Sequence, residues 1–143
     1  RPAEFDFDTH TDNFSRLRKL LPPFDKSLAG LFDRLKERGL FESTAIMVAG
    51  EFGRTPQINV QGGRDHWARA MFALMAGGDI RGGQVIGETD AKAAEPKNES
   101  VSPEDLAASF FQNIGIDPKM EFQANVGRPI TLVRDGNPIG RLF

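Results

Sequence analysis

Thr44-Ala45-Ile46-Met47-Val48-Ala49-Gly50 is a continuous apolar run bounded by polar residues. Strands covered on both faces lose the apolar/polar alternation, so this stretch is expected to be a buried strand, central and parallel in its sheet. Working outward, apolar residues precede it at Leu17, Leu20, Leu21, Phe24, Leu28, Leu31, Phe32 and Leu35. Steps of three and four trace one face of a long amphipathic helix. Pro22 and Pro23 fall inside it and predict a kink or a break, with Pro23 starting a second segment. Gly39, after Arg34, Lys36 and Arg38, marks its stop. Further back, Phe5-Asp6-Phe7-Asp8 alternates aromatic and acid, a short strand with Phe5 and Phe7 on one face. Asp12, Asn13 and Ser15 then offer helix caps. Strand, helix, strand makes a βαβ unit, for which a right-handed crossover is expected.

Downstream, residues 51–68 are Gly-rich and polar, and a loop of that length inside a compact domain is usually functional or poorly ordered. Ala70 to Ala76 reads as a second strand, with a short helix as the alternative, closed by Gly77-Gly78. Residues 79–101 read as loop. Ser102-Pro103-Glu104-Asp105 is a helix start: Ser caps, Pro takes the first turn and Asp105 completes a capping-box spacing. Leu106, Phe110 and Ile114 are its expected buried face, and Gly115 its end. The tail from Pro129 to Phe143 carries two short apolar stretches around Asp135-Gly136, a hairpin signal.

Composition bounds the rest. The 143 residues suit one domain, able to bury roughly 70% of its unfolded surface. Lys+Arg is 18 and Asp+Glu is 20, a net charge of −2. That balance argues against a nucleic-acid or membrane-surface binder. There is no Cys, which excludes a disulfide scaffold and a thiol enzyme and leaves only His and carboxylates as metal ligands. The longest apolar stretch, Ala70 to Gly78, is far short of a membrane span. The first residue is Arg1, and no signal peptide is visible.

The two histidines, His10 and His66, both sit among carboxylates, in Asp8-Thr9-His10-Thr11-Asp12-Asn13 and in Gly62-Gly63-Arg64-Asp65-His66-Trp67. Between them lies Gly50-Glu51-Phe52-Gly53-Arg54-Thr55-Pro56. In an open α/β sheet, ligands bind beyond the carboxyl ends of the strands. Asp8 ends the first expected strand, Glu51 follows the second, and His66 lies in the loop leaving that edge. Two acids and two histidines then converge there. Mixed carboxylate and imidazole ligands suit zinc, manganese or iron. Arg54 and Arg64 flank the region, and Arg grips phosphate, sulfate or carboxylate in bidentate fashion. Structural roles compete: Asp12 as a helix cap, Arg54 paired with Asp65, Trp67 as a core anchor.

Asp8-Thr9-His10, Asp12-Asn13-Phe14, GEFGRTP (50–56), GGRDHW (62–67), AGGDIRGG (76–83), Ile114 to Pro118 and GRPI (127–130) occur in that order. In this the chain resembles a bacterial sulfatase-like family known as domain of unknown function 1501, a branch of the alkaline phosphatase superfamily. The resemblance covers essentially the whole chain. It implies an α/β fold: the carboxyl-terminal portion of a three-layer αβα sandwich, with a mixed, mostly parallel sheet and a C-terminal hairpin. It implies one or two divalent metals, zinc, manganese or calcium, at the carboxyl edge of the sheet. Asp8 matches the superfamily's first metal ligand. His10 or Asp12 matches the second, with His10 favoured, and His66 matches a further His. Where the superfamily has an Asp-His pair after a central strand, this chain has Glu51-Phe52; Glu can ligate, Phe52 cannot. No Ser or Thr here matches a nucleophile position, which the resemblance puts in an amino-terminal half.

The function implied is part of a metal-dependent hydrolase of sulfate or phosphate esters. Asp8, His10, His66 and Glu51 would hold metal, Glu51 and Arg54 would serve catalysis, and Arg54 and Arg64 would bind the anion. The expected partners are a small anionic ester, and either the remaining half of the protein or a second copy, with no nucleic acid and no membrane span. The resemblance suggests export from the bacterial cytoplasm. The alternative is a non-catalytic structural or binding module, favoured by Phe52 and the unassigned nucleophile. An autonomous small α/β enzyme is a third reading.

Overall fold

Leu17, Leu20, Phe24, Leu28, Phe32 and Leu35 are half-buried along one face of helix α1 (Asn13–Glu37), as the period of three and four requires. The computed structural model describes residues 6–123 and 127–143. α1 runs unbroken through Pro22 and Pro23, contrary to the expected break. Both prolines and the residues one turn before them, Arg18 and Lys19, are exposed. Water can therefore satisfy the carbonyls that lose a donor. The Ser27 hydroxyl donates to the Pro23 carbonyl at 2.7 Å. Asp12 takes the N-cap position with a left-handed φ of 46°, but its side chain makes no capping bond. Gly39, at φ 65°, follows the C-cap as expected.

The remaining elements are short. They are β1 (Ile46–Ala49), β2 (Gly53–Arg54), β3 (His66–Trp67), β4 (Ala73–Ala76), β5 (Glu88–Thr89), β6 (Pro96–Asn98), α2 (Pro103–Asn113), β7 (Glu121–Gln123) and β8 (Pro129–Thr131). They make four two-stranded sheets: β1 with β4, β2 with β3, β5 with β6, and β7 with β8. β2–β3 and β7–β8 are antiparallel. Among the described residues no helix is long and apolar enough to cross a membrane.

This corrects the expected fold class. Among the described residues a three-layer αβα sandwich with a mostly parallel sheet is not formed; they make two α-helices, two short 3-10 turns and four small sheets. β1 has a single strand partner, and its residues alternate between half-buried and exposed, with Met47 43% exposed. It is neither central nor buried. β4 ends at Ala76, before Gly77 and Gly78 at positive φ, as expected, but begins only at Ala73, so residues 70–72 are not strand. The expected strand at Phe5 to Asp8 is also absent where it can be seen: Phe5 lies outside the described residues, and residues 6–8 are not strand. There the Asp8 N–H donates to the Asp6 carboxylate at 3.1 Å instead of to a ladder. Among the described residues there is then no first strand and no βαβ crossover.

The chain divides into two compact units: Arg1–Leu40 with Ala49–Phe72 and Thr89–Pro96, and Phe41–Val48 with Ala73–Glu88 and Lys97–Phe143. In the first, the Phe7 ring meets Phe24 of α1 edge-on at 5.6 Å. Thr9 and Asn13 are buried, and the Thr9 hydroxyl donates to Asn13 Oδ1 at 2.6 Å.

In the second unit, the Ser102–Asp105 capping box forms as the sequence predicts. The Asp105 N–H donates to Ser102 Oγ at 3.0 Å, and the Ser102 N–H donates to Asp105 Oδ2 at 3.0 Å. The buried face of α2 is centred on Ala108 and Ser109. Leu106 and Phe110 are half-buried and Ile114 is exposed, so the face is rotated from the expected one. The Ser109 hydroxyl explains the rotation: it donates to Asp105 O at 2.7 Å and accepts from the Ile139 N–H at 2.9 Å. Asp105 also accepts from the Asn137 N–H at 2.8 Å, and this bond, followed by those from Ser102, holds its carboxyl below the ordinary 3.8. The terminal hairpin spans β7 and β8, with Phe122 opposite Ile130, and does not turn at Asp135-Gly136. Gly136 instead lies against α2, where a Cβ would come within 2.1 Å of Glu104 O.

Candidate metal centre

The first unit gathers its polar side chains by pairing residues 9–13 with 61–64. Thr11 and Gly62 form an isolated antiparallel bridge. The Asp12 N–H donates to Gln61 O at 3.2 Å, the Asn13 N–H to Gly62 O at 3.0 Å, and the Arg64 N–H to Thr9 O at 3.0 Å. Two glycines permit the approach. A Cβ on Gly63 would lie 1.8 Å from His10 O, and one on Gly53 would lie 1.8 Å from Ala70 O. No side chain fits at either place. Register in the β2–β3 ribbon sets Arg54 opposite His66 and Gly53 opposite Trp67.

Asp8, His10 and His66 converge as the sequence predicts. Three of their ligand atoms lie within 4.8 Å of one another. His10 Nε2 is 3.0 Å from His66 Nε2 and 3.1 Å from Asp8 Oδ1, and His66 Nε2 is 3.2 Å from the same oxygen. With bonds of 2.0–2.1 Å, a tetrahedral zinc ion spaces its ligand atoms about 3.3 Å apart, and an octahedral ion of similar bond length about 3.0 Å. The observed triangle has that size, and two imidazoles with one carboxylate are a donor set suited to a divalent transition metal. The residues fit a metal.

Other groups surround the triangle. Arg54 Nη2 donates to Asp8 Oδ1, and Arg54 Nη1 lies 3.5 Å from His10 Nε2. Arg54, followed by His66, holds the Asp8 carboxyl down at about 2. Arg54 thus pairs with Asp8, not with Asp65. The Phe52 ring packs on the His66 imidazole at 4.0 Å between centroids. Glu51 is exposed and stands outside the three-residue group. Arg64 Nη1 donates to the carbonyls of Thr55 at 2.6 Å and Pro56 at 2.7 Å, and its guanidinium lies over the Phe14 ring. Its bonds are thus made to the backbone of the 55–56 turn. Asp12 is not one of the three gathered residues. Trp67 is half-buried with its indole N–H donated to Ala94 O at 2.7 Å. It lines a shallow hollow of about 450 Å³ with Thr55, Pro56, Gln57, Lys92 and Ala94.

Two contributors were given no part in the site from sequence. Asp65 Oδ1 lies 2.8 Å from His10 Nδ1, and this bond, followed by one from Asn59, lowers the Asp65 pKa. Asn59 Nδ2 donates to His10 O at 3.0 Å and to Asp65 Oδ1 at 3.1 Å. Asn59 Oδ1 accepts from the Gln61 N–H at 3.0 Å and the Gly63 N–H at 2.9 Å. One amide therefore ties the His10 segment to the turn before His66. The available signal was an Asn three residues before a Gly-Gly-Arg-Asp-His run, a spacing suited to an Asx turn.

The family described as protein of unknown function (DUF1501) matches residues 3–143. The chain belongs to that family. No curated protein and no solved structure matches it.

Proposed function

We propose that the chain supplies the metal-holding and anion-binding part of a divalent-metal-dependent hydrolase of sulfate or phosphate esters. The observation that carries this reading is the triangle of His10 Nε2, His66 Nε2 and Asp8 Oδ1, with edges of 3.0, 3.1 and 3.2 Å. Asp8, His10 and His66 would hold the ion, whose role is to polarise an ester oxygen and activate water. Arg54 places a fixed positive charge beside the same atoms, where it can meet an anionic ester. Phe52 packs on one face of His66 and would hold the orientation of its ring. Glu51 is assigned the role of general base or of ligand to a second ion. Sulfatase-like character, a place in the alkaline phosphatase superfamily and export from the bacterial cytoplasm belong to the same proposal and rest on the order of the sequence motifs.

The partners are a small anionic ester and a protein surface, either another part of a longer protein or a second copy. Elemental analysis of protein purified without chelator tests the metal. About one equivalent of zinc, manganese or calcium is expected, together with metal-dependent hydrolysis of an aryl phosphate or aryl sulfate once the partner is present. Metal-free protein that neither binds nor hydrolyses would sink the proposal. A second reading, a non-catalytic module, is favoured by one observation: Arg54 already neutralises Asp8 from within the chain. That reading predicts no metal and no turnover in the same assays.

A further inference from the structure

We infer that Asp65, aligned by Asn59, is a positioning residue: it fixes the proton of neutral His10 on Nδ1 and so presents the bare Nε2 to the Asp8–His66 group. The inference deepens the metal reading and rests on it for its consequence, though not for its test.

A neutral imidazole carries one N–H, and the hydrogen bond made by one nitrogen decides the state of the other. His10 Nδ1 faces the Asp65 carboxylate at 2.8 Å, an ionised group that can only accept. The Asn59 amide donates to that same Oδ1 at 3.1 Å and so fixes the carboxylate in place. Because Asn59 also donates to the His10 carbonyl, the carboxylate and the imidazole backbone share one anchor.

The surroundings of Nε2 agree. Arg54 Nη1, a pure donor, lies 3.5 Å from it, and His66 Nε2 lies 3.0 Å away. With Nε2 bare, these groups meet a lone pair. Asp8 Oδ1, 3.1 Å away, is then a second electron-rich atom facing the same space. Two such atoms are stable side by side only where positive charge lies between or beside them. Arg54 supplies it within the chain, and a divalent ion would supply it in the proposed site. Carboxylates that accept the remote N–H of a metal-bound histidine orient the ring and raise its basicity, and losing one typically costs about 10–100-fold in metal affinity.

Nitrogen-15 NMR of the metal-free protein, at a pH where the imidazoles are neutral, tests the assignment. His10 is expected to show a protonated Nδ1 and an unprotonated Nε2. In Asp65→Ala the pattern is expected to reverse to the Nε2–H form that a histidine without such a partner prefers. Wild-type His10 in the Nε2–H form would overturn the inference, as would an Asp65→Ala variant that keeps Nδ1–H. If that variant fails to fold, the wild-type spectrum still decides. A zinc titration gives the consequence: affinity falls about 10–100-fold in Asp65→Ala and less in Asp65→Asn, which keeps an acceptor oxygen. Unchanged affinity in both variants would overturn the positioning role. If no form takes zinc, the metal proposal fails, while the tautomer result still stands on its own.

Discussion

The cluster around His10 and the start of α2 are built by opposite means. At α2 the chain closes a local capping box over four residues, Ser102 to Asp105, and buries Ala108 and Ser109 behind it. Around His10, four side chains separated by up to 58 positions meet on atoms that remain partly exposed, with His10, Asp8 and Asp65 at 41%, 55% and 52%. The first region is held by local geometry and burial. The second is held by backbone pairing across a long loop and by two glycines with no room for a side chain. Groups gathered at that cost in conformational freedom, without burial to offset it, point to chemistry more than to stability.

Breaking the clearance separates the two regions most sharply. Gly63→Ala drives a Cβ into the His10 carbonyl. It should destabilise the protein by about 3 kcal/mol and abolish metal binding, read by denaturant melts and a metal titration. Gly136→Ala makes a comparable intrusion on Glu104 O. It should lower stability by a similar amount and leave the metal affinity of the folded fraction unchanged. A Gly63→Ala protein with normal affinity would remove the role assigned to that approach. Ser102→Ala comes next: losing the cap should cost about 1 kcal/mol, with His10 resonances unmoved.

Acidification has the smallest effect. A carboxylate held below its ordinary value stabilises the folded state above its unfolded-state pKa, and that contribution is lost as pH falls through the folded value. For Asp105 the loss should begin below about 3.8, seen as faster amide exchange in the first turn of α2. Asp8, held at about 2, should keep its charge and its contact with Arg54 to lower pH. Carbonyl chemical shifts of the two aspartates through an acid titration check the order.

The same contrast explains what could be read in the sequence. The α2 capping box, the Gly39 and Gly115 helix stops and the apolar stripe of α1 are local patterns, and all are present. The grouping of Asp8, His10 and His66 was legible because each histidine sits among acids. Its true cause was not: the expected sheet edge does not exist, and the residues meet through the Thr11–Gly62 bridge. Such a bridge leaves no hydrophobic period. Asn59 and Gly63 act through single hydrogen bonds and clearances that only three dimensions reveal. The run at 44–50 looked like a central strand because apolarity records burial on average, not the number of strand partners, and among the described residues β1 pairs with β4 alone.

The central claim is that Asp8, His10 and His66 form a divalent-metal site. Calorimetric titration of chelator-stripped protein with zinc tests it most directly, using wild type, His66→Ala and Asp8→Asn. The account predicts one equivalent bound by wild type and at least a hundredfold weaker binding by each variant, with folding preserved. No binding by wild type, or equal binding by all three, would contradict it.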